Sequence, residues 1–401
     1  MITDEQKTLV KATVPFLRTN GFELTDLFYK RMFLHNPELK HVFNMGNQSN
    51  GKQQTALAMA VLAYADHIDN PGILMPVLDG IGQKHVSLGI RPEHYSIVGK
   101  HLLAAIAEVV GEGATTELLK AWEVAYFELA DLMSGHEASL YKNRVAQKGG
   151  WSGWRPFRVH DKIEESSEIT SFYLYPADGG DVAEFKPGQY ISLKVFLPQL
   201  NLYQPRQYSI STAPNGSYYR ISVKRETATD VNLNGMISNH LHDQVMVGDI
   251  LDVSSPSGNF VLQDTERPVV FISGGIGQTP LVAMLESLMN SGITKEATWI
   301  HGSRDRKVHA FRSQLNRWAE ENRNLSKHIF YNDLAENEDS SDHYAGRVDL
   351  NYLKHLKTEA EYYLCGPKLF IEKQYRDLLG RGINKDFIFF EEFGPQSLHL
   401  L

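Results

Sequence analysis

Cysteine is nearly missing from this chain, whose 401 residues include a single one, Cys365. One thiol excludes an internal disulfide and a cluster ligated by several cysteines. No uncharged apolar run approaches the roughly 20 residues that a bilayer crossing needs. Residues 1–5 lack the basic flank and apolar core of a signal peptide. We therefore expect a cytoplasmic protein that is not an integral membrane protein.

Positive charge is also scarce, because the formal net charge is -8 and no basic block stands out. This balance argues against a nucleic-acid binder, which would need a cationic surface for phosphates. The length suggests two or three domains. The apolar fraction of 42% is ordinary, so each domain can bury a core.

The first 140 residues or so are rich in apolar residues that recur every three or four positions, and no strand pattern interrupts them. This spacing predicts an all-α region. Thr3 and Gln6 form a potential capping box for the first helix, and Gly21 is expected to end that helical run. Three further stripes lie on predicted helices: Gln53, Leu57, Val61, Tyr64 and Ile68; Leu74, Leu78, Ile81, His85 and Leu88; Tyr95, Val98, Leu102 and Ile106.

A glycine- and tryptophan-rich segment at 148–156 indicates a linker, and the apolar period after it changes to two. Alternating runs at 169–174, 190–195 and 219–224 predict an antiparallel barrel or sandwich. From Pro268 onward, short apolar runs at 269–272, 297–300 and 362–364 alternate with helical patterns. They predict an α/β domain with a parallel sheet.

Four consecutive residues in the middle part, Arg206, Gln207, Tyr208 and Ser209, suit a flavin site. They follow a turn-rich stretch at 202–205 and open a strand-like run at 210–212. An arginine can bind a phosphate, a tyrosine can stack on a flavin ring, and a hydroxyl can bond a ring nitrogen. An ordinary edge strand is the alternative interpretation.

A glycine-rich turn follows the apolar run 269–272 and precedes a predicted helix. Bare amides and a helix N-terminus at one place suit a pyrophosphate. A tight turn without a ligand is the alternative. The segment departs from the usual GxGxxG fingerprint because Pro280 occupies the place of the third glycine. The turn consists of Ser273, Gly274, Gly275, Ile276, Gly277, Gln278, Thr279 and Pro280.

Together with the segment Tyr363 to Pro367, these motifs resemble the ferredoxin–NADP reductase superfamily in kind and in order. The resemblance implies that Arg206 holds the flavin pyrophosphate, Tyr208 stacks on the flavin, and Ser209 bonds near its reactive nitrogen. It also implies an NAD(P) site on the glycine-rich turn. Further flavin-lining residues implied by the family are Tyr190, Gln207, Gly235 and Ser238, with Glu392, Phe393, Gly394 and Pro395 near the C-terminus.

In the same resemblance, Cys365, Gly366 and Pro367 line the nicotinamide, and Phe393 is an aromatic lid on the flavin. Cys365 is either a catalytic thiol or, more simply, a small space-filling residue. The choice between NADH and NADPH stays open, because Ser303 and Arg304 suit a 2′-phosphate whereas Asp305 opposes it. Neither the loop 226–234 nor Glu392, where a small residue is expected, matches the family closely.

His85 is the candidate metal ligand of the helical half, since it lies on an otherwise apolar helical face. The functional interpretation of His85 is haem ligation. The alternative interpretation is a core histidine whose ring nitrogens are satisfied by hydrogen bonds. The helical half resembles a globin in its helix count and in individual residues. That resemblance implies that His85 is the proximal ligand, that Phe43 packs on the haem, that Gln53 and Leu57 are the distal pair, and that Tyr29 reaches bound dioxygen. A packed tyrosine and a solvent-facing amide are the alternatives for Tyr29 and Gln53.

A globin joined to a reductase module resembles the flavohaemoglobins over the whole chain. The resemblance implies a globin domain at 1–138, a linker at 139–154, an FAD-binding β-barrel domain at 155–262 and an NAD(P)-binding α/β domain at 268–401. It further implies that Glu137 and Tyr95 bond the proximal histidine, and that Lys84 and Glu391 tune redox properties. A carboxylate on an imidazole makes the ligand more electron-rich.

Members of that family are nitric oxide dioxygenases, so the resemblance also implies the activity. NAD(P)H reduces FAD, FAD reduces haem b, and ferrous-oxy haem converts nitric oxide to nitrate. The expected partners are nitric oxide, dioxygen and NAD(P)H, with no nucleic acid, and we expect a monomer. Two alternatives stay open: a reductase that keeps an oxygen-binding globin ferrous, and a haem-free flavin reductase whose helical half binds a partner.

Overall fold

A computed structural model describes residues 1–49, 51–227, 235–334, 342–353 and 356–394. These residues divide into two compact units. The first contains Met1–Trp154 and Lys194–Arg206, with Gly394; the second contains Arg155–Leu193 and Gln207–Phe393. No helix within the described ranges is both long enough and apolar enough to cross a membrane.

The first unit is helical, as the apolar spacing predicts. Short 3-10 turns at Pro37–His41, Pro71–Leu74 and Gly111–Gly113 connect its helices. The helices are α1 (Asp4–Ala12), α2 (Val14–His35), α3 (Met45–Ser49), α4 (Lys52–Asp66), α5 (Met75–Leu88), α6 (Pro92–Val110) and α7 (Thr116–Ala146). The Thr3–Gln6 capping box is present, and Pro92 is at the first position of α6 as expected.

The expectation that Gly21 ends a helix is wrong. Helix α1 ends at Ala12 instead, and Gly21 lies buried inside α2. A Cβ on Gly21 would come within 3.3 Å of the Ala58 side chain on α4. The glycine therefore allows close packing of α2 on α4, and this packing outweighs its low helix propensity.

Helix α7 also runs further than the linker prediction allows, because it continues to Ala146 and makes residues 139–146 helical. The connection to the first strand is the shorter stretch 147–153. Apolar residues of α2, α4, α6 and α7 form one buried core at three- and four-residue spacing. Its largest fully buried members include Phe28, Leu24 and Met32 on α2.

An antiparallel sheet follows, as predicted for the flavin domain. Its strand order is β4-β3-β6-β1-β2-β5. The strands are β1 (Trp154–Ser166), β2 (Ile169–Pro176), β3 (Tyr190–Leu197), β4 (Leu202–Ser209), β5 (Tyr219–Lys224) and β6 (Ile250–Ser254). A single bridge between Ile210 and Ile221 joins the end of β4 to β5. It links the two outer strands of the sheet, in the sense of a closing barrel.

The placement of Arg206 to Ser209 at the start of a strand is wrong. Residues 202–205 are already part of β4, so the four residues end that strand. Because β4 is an outer strand, Pro205 can lie in it without removing a ladder hydrogen bond from the sheet interior.

The last part of the second unit is a parallel sheet of order β10-β9-β8-β7-β11-β12, covered by helices. The strands are β7 (Val269–Gly274), β8 (Ala297–Ser303), β9 (Leu325–Tyr331), β10 (His343–Ala345), β11 (Glu361–Gly366) and β12 (Ile388–Glu392). The helices of this unit are α8 (Met236–Asp243), α9 (Gln278–Asn290), α10 (Arg312–Glu321) and α11 (Lys368–Gly380).

Alternate residues of this parallel sheet enter two separate cores. Val269, Phe271 and Tyr363 belong to one core, whereas Val270 and Tyr362 belong to the other. Both faces are therefore buried, which explains the continuous apolar runs in the sequence. The chain order reverses between β7 and β11, and α/β sheets bind ligands at such a switch point.

Candidate functional site

An apolar cavity of about 240 Å³ lies inside the helical unit. Leu57, Val98 and Leu102 are among the side chains that line it, and His85, Tyr95, Tyr29 and Phe43 reach it as well. Five of the predicted haem-site residues therefore meet at one cavity. The imidazoles of His85 and His94 both lie on its wall. An apolar cavity with an imidazole on its wall suits a flat macrocycle whose metal takes a nitrogen ligand.

His85 lies in the last turn of α5, and the end of that helix fixes its backbone. Gly89 adopts a positive φ of 76° as the C-cap, a conformation that glycine takes without strain. The N–H of Ile90 then donates to the carbonyl of His85 at 3.0 Å. The helix therefore ends directly beyond the candidate ligand.

The imidazole of His85 is held by a buried carboxylate, as the resemblance implied. Its Nδ1 lies 2.7 Å from Oε1 of Glu137, and Tyr95 donates its hydroxyl to the same oxygen at 2.6 Å. Glu137 is only 2% exposed. Burial and the nearby Glu137 charge both raise the pKa of Tyr95, so its phenol stays protonated and continues to donate.

This arrangement determines the tautomer of His85. Because the Tyr95 hydroxyl and Nδ1 of His85 both face one carboxylate oxygen, the short contact is satisfied when Nδ1 carries a proton and donates it. In that tautomer of the neutral ring, Nε2 of His85 presents its lone pair. The structure therefore places a carboxylate behind the imidazole of His85, the arrangement found behind histidine ligands in many metal sites.

Tyr126 is a supporting residue that the sequence prediction missed. Its hydroxyl donates to the carbonyl of Tyr95 at 2.6 Å. A Cβ on Gly99, one turn after Tyr95 in α6, would lie 2.5 Å from the Tyr126 ring. Gly99 therefore lets α6 approach α7 closely enough for Tyr126 to fix the backbone of Tyr95. Glycine inside a predicted helix was the only available signal.

Tyr29, which lines the same cavity, is buried in α2 and packs beside Phe43, with ring centroids 5.9 Å apart. Burial raises the pKa of its phenol, while the nearby side chains of Gln48 and Gln53 act in the opposite direction. Gln48 was not predicted as a site residue. Within the described residues, Oε1 of Gln53 and Nε2 of Gln48 are buried without a hydrogen-bond partner. Such atoms are costly unless a ligand or water satisfies them.

Lys84 directly precedes His85 and is partly exposed. Its Nζ donates to the carbonyl of Gly394 at 3.1 Å, and both residues belong to the first unit. This contact ties the lysine to the C-terminal segment. Pro395, the last predicted flavin residue, lies outside the described residues, as does most of the loop 226–234.

The four residues of β4 predicted to bind flavin, Arg206 to Ser209, are half-buried. Alternation along the strand directs Arg206 and Tyr208 to one face and Gln207 and Ser209 to the other. Gln207 donates to the Ser192 hydroxyl at 3.3 Å, so its amide is used within the sheet. The cation and the phenol of the motif therefore share a face, which suits simultaneous contact with a flavin phosphate and ring.

Tyr190 begins β3 and pairs with Ser257 through a two-way backbone bridge. Gly258 has a φ of +105°, and a Cβ there would lie 2.9 Å from the Tyr190 ring. Gln189 reinforces this corner by donating to the carbonyl of Gly258 at 3.1 Å. The ring of Tyr190 therefore lies against bare backbone in a fixed position.

Helix α8 begins after Gly235, where a Cβ would lie 2.5 Å from the Ser238 hydroxyl. That hydroxyl donates to the carbonyl of Gly235 at 3.0 Å and accepts from the N–H of Glu226 at 3.2 Å. Ser238 therefore organises the start of the helix. The N–H groups of a helix start suit an anionic phosphate.

The glycine-rich turn and the Cys365 segment meet at the switch point of the parallel sheet. Ser273 pairs with Cys365 across β7 and β11. A Cβ on Gly277 would overlap the Cys365 carbonyl, and one on Gly366 would lie 2.9 Å from the Phe370 ring. Backbone therefore approaches backbone here as closely as glycine permits, which explains the residue type at both positions.

The turn itself is a short 3-10 segment, Gly275–Gly277, that leads into α9. Gln278, the first residue of α9, is only 1% exposed, and neither its Oε1 nor its Nε2 has a hydrogen-bond partner among the described residues. Thr279 is used internally, since it donates to the carbonyl of Ile276 at 3.1 Å. The unpaired amide at this crevice suits a polar ligand such as a nicotinamide nucleotide.

Cys365 is fully buried, and Glu391 lies beside it in the register of β11 and β12. Burial and the Glu391 charge raise the pKa of the thiol well above its usual range. A protonated, buried thiol is a poor nucleophile, which supports the space-filling interpretation. Glu392 pairs with Gly366 at the end of β12, and Phe393 follows as an exposed aromatic residue.

Three domain families match the chain in the order that the sequence predicted. Residues 26–133 match the Globin family, residues 156–262 the oxidoreductase FAD-binding domain, and residues 271–375 the oxidoreductase NAD-binding domain. The cavity lies in the first of these regions, and the glycine-rich turn lies in the last.

Full-length relatives share this arrangement. The flavohemoprotein of Chromobacterium violaceum is 50% identical over 399 residues, which are 98% of each chain. The flavohemoprotein of Bordetella parapertussis is 48% identical over 400 residues, covering 98% of this chain and 99% of the relative.

Solved structures of flavohemoglobin and of a nitric oxide dioxygenase domain also match this chain. The flavohemoglobin of Malassezia yamatoensis, which contains bound FAD and haem, is 28% identical with a TM-score of 0.86, covering 98% of this chain and 100% of that chain. The FAD/NAD-binding domain of the nitric oxide dioxygenase of Vibrio cholerae is 37% identical with a TM-score of 0.57, covering 61% of this chain and 100% of that chain. By sequence identity over nearly its whole length and by its three domains, this chain belongs to the flavohemoprotein family of oxidoreductases.

Proposed function

We propose that this oxidoreductase is a nitric oxide dioxygenase, which oxidises nitric oxide to nitrate with dioxygen and electrons from NAD(P)H. The observation that carries the proposal is the buried array of Tyr95, Glu137 and His85 at the wall of an apolar cavity. A carboxylate behind the imidazole makes a more electron-donating ligand, which favours activation of dioxygen over its simple storage. A cytoplasmic location remains part of the proposal and fits the single buried cysteine.

His85 would hold haem b, and FAD would lie along Tyr190, Arg206, Tyr208 and the start of α8. When bound, these cofactors supply conversion of a two-electron hydride into single electrons and activation of dioxygen. The protein residues supply orientation and charge. Glu137 accepts the Nδ1 proton of His85 in a hydrogen bond, which increases electron density on the imidazole.

Tyr29 would supply a polar group on this wall of the cavity, with Gln48 and Gln53 near its phenol. The phenol of Tyr29 stays protonated because burial raises its pKa, and it can therefore donate to dioxygen as negative charge develops there. The surrounding aromatic residues, including Phe43 and Phe33, exclude water from the same region. Charge–dipole interactions are stronger in such a dry site.

For the coenzyme, we propose a preference for NADH. Arg304, the candidate for a 2′-phosphate, already faces two carboxylates: its Nη2 lies 3.2 Å from Glu168 and its Nε lies 3.4 Å from Asp305. Both carboxylates would compete with a phosphate for the guanidinium. NADH lacks the 2′-phosphate and needs no such exchange.

The decisive assay combines purified holoprotein with nitric oxide, dioxygen and NADH, and measures nitrate and NADH together. A hydride carries two electrons, and forming nitrate from one nitric oxide and one dioxygen takes one. We therefore expect two nitrates for each NADH. Oxidation of NADH that does not depend on nitric oxide would contradict the proposal and would support the simpler reductase that keeps a globin ferrous. A protein without a Soret band would support the haem-free reductase.

A further inference from the structure

Two buried histidines pack against each other, with their rings tilted, beneath the nucleotide edge of the parallel sheet. His301 lies near the end of β8, and His309 lies in the loop that leads to α10. Their ring centroids are 4.6 Å apart with an interplanar angle of 30°. The side chains are 0% and 4% exposed.

Each histidine bonds a different neighbouring strand. Nδ1 of His301 lies 2.8 Å from the hydroxyl of Ser273, which directly precedes the glycine-rich turn. Nδ1 of His309 lies 2.7 Å from the hydroxyl of Tyr331 at the end of β9. The histidine pair therefore connects the carboxyl ends of β7, β8 and β9 through side chains.

The position of Ser273 indicates a structural role rather than a direct contact with the coenzyme. It is fully buried, and its hydroxyl faces His301. Ser273 is therefore placed to support the turn from below, while Gly275 at the tip of the turn is exposed. The predicted contact of Ser273 with the coenzyme becomes an indirect one.

His309 lies at the end of a loop that is stabilised by hydrogen bonds between its own residues. Oδ1 of Asp305 accepts from the N–H groups of Lys307 and Val308, at 2.7 Å and 3.2 Å. The Ser303 hydroxyl donates to the carbonyl of Asp305 at 3.2 Å. A loop at the end of the second strand of such a sheet faces the adenosine ribose of a dinucleotide.

Both rings are neutral near neutral pH. Burial lowers the pKa of His301 to about 3, and burial together with neighbouring His301 lowers the pKa of His309 well below its ordinary value. Among the described residues, Nε2 of each ring is buried and has no hydrogen-bond partner. Burying these unpartnered nitrogen atoms is unfavourable, because they lose their hydrogen bonds to water. Buried polar groups of this kind usually have a specific structural role.

We propose that His301 and His309 are positioning residues for the adenosine half of the nicotinamide coenzyme. The inference rests on the proposed function, because it concerns the same coenzyme site. His301 holds Ser273 and with it the glycine-rich turn, where the pyrophosphate would bind. His309 holds the loop 303–309 against Tyr331, where the ribose would bind. Because the two rings are in contact, the positions of the glycine-rich turn and of the loop 303–309 depend on each other.

The test uses the whole holoprotein with ferricyanide as the electron acceptor, so that the haem is not needed. His309→Leu and His301→Leu each remove one Nδ1 contact and keep an apolar side chain. We expect each to raise KM for NADH about tenfold, the effect of one lost buried hydrogen bond. The limiting rate should stay within about twofold, because the nicotinamide end lies at β11 and does not depend on the pair.

A truncated coenzyme separates positioning from general damage. Reduced nicotinamide mononucleotide lacks the adenosine half, so we expect its KM to be unchanged in the same variants. His309→Asn and His301→Asn should recover most of the affinity for NADH, because the asparagine amide reaches the position of imidazole Nδ1. If the leucine variants do not fold, glutamine variants replace them, since a glutamine amide extends past that position.

His328→Leu is the matched control. His328 also pairs with a tyrosine, with 3.0 Å between its Nδ1 and the Tyr344 hydroxyl, but it lies mid-strand in β9. Equal rises in KM for NADH and for the mononucleotide, or the same rise in the control variant, would overturn the inference. If the wild-type protein fails to reduce ferricyanide with NADH, the proposed function itself fails. If it succeeds and the variants match it, only this inference fails.

Discussion

The Glu137 carboxylate lies 2.7 Å from Nδ1 of His85 and is almost completely buried. A buried negative charge is unfavourable unless donors satisfy it, and here Tyr95 and His85 both donate to it. The histidine is therefore coupled to a full charge rather than to a neutral carbonyl. Where such an imidazole binds a metal, this coupling makes it a more electron-rich ligand.

Replacing Glu137 by glutamine should lower nitric-oxide-dependent NADH oxidation about 10- to 100-fold while haem content stays the same, as for other residues that hydrogen-bond a metal ligand. The amide keeps the size of the side chain and removes the charge. Asp79→Asn is the matched control, because Asp79 and His136 form a similar pair at 2.6 Å between α5 and α7. A comparable loss of activity in the control would show that general packing, and not the charge behind His85, is responsible.

Tyr29→Phe should raise the dissociation rate of dioxygen about tenfold, because it removes one buried donor from the cavity. Stopped-flow displacement of dioxygen by carbon monoxide measures this rate. The aromatic contacts with Phe43 and Phe33 remain in the variant. An unchanged dissociation rate would mean that the Tyr29 hydroxyl serves only its neighbours Gln48 and Gln53.

Gly277→Ala should disrupt the coenzyme site, because its Cβ would overlap the carbonyl of Cys365. Overpacking of this kind costs about 1–3 kcal/mol, so we expect weaker NADH binding and a lower melting temperature. Gly380→Ala is the control in the same unit, since a Cβ there meets no atom within 4 Å among the described residues. Normal ferricyanide reduction by the Gly277 variant would show that the turn is looser than the structure implies.

Glu168→Gln should increase the use of NADPH relative to NADH by a few fold, since it frees Arg304 from one of its two carboxylates. Steady-state kcat/KM for the two coenzymes is the measurement. The pair is partly exposed, so the gain should be modest and should shrink in high salt. An unchanged ratio would indicate that Arg304 does not face the 2′-position.

Stability should depend on pH through His301. Its pKa is about 3 in the folded chain and about 6.5 when unfolded, so the unfolded chain binds the additional proton between these values. The contribution of His301 to the free energy of unfolding is therefore fully present above about pH 6.5. Below that pH, the free energy of unfolding falls by up to about 1.4 kcal/mol per pH unit. His301→Asn does not titrate, and its urea midpoint should fall less between about pH 7 and pH 5. Parallel pH profiles for both proteins would contradict the assigned pKa.

The spacing of apolar residues predicted most of this architecture, because apolar residues occupy the buried positions of each helix and strand. The stripes of α4, α5 and α6 and the paired apolar runs of β7 and β11 are direct consequences of which faces are covered. Local exceptions were not predictable in this way. Gly21 stays inside a helix because Ala58 lies across from it, and Pro205 lies within β4 because that strand is at an edge.

The candidate site shows the same division. His85, Tyr95 and Glu137 could be predicted by resemblance, and their convergence required the fold. Tyr126, Gln48 and the pair His301 and His309 carried no recognisable spacing, because their roles arise from contacts between distant segments. Ser273 was predicted as a coenzyme contact, and its complete burial became visible only with the position of His301.

The absorption spectrum of the purified protein, recorded without air before and after NADH, tests the central claim that this chain carries electrons from the nucleotide to the haem. We predict a Soret band that shifts from the ferric to the ferrous position as the flavin is reduced and reoxidised. His85→Ala should lose that band and keep NADH–ferricyanide activity. A flavin that bleaches with NADH beside a haem that stays ferric would contradict the account.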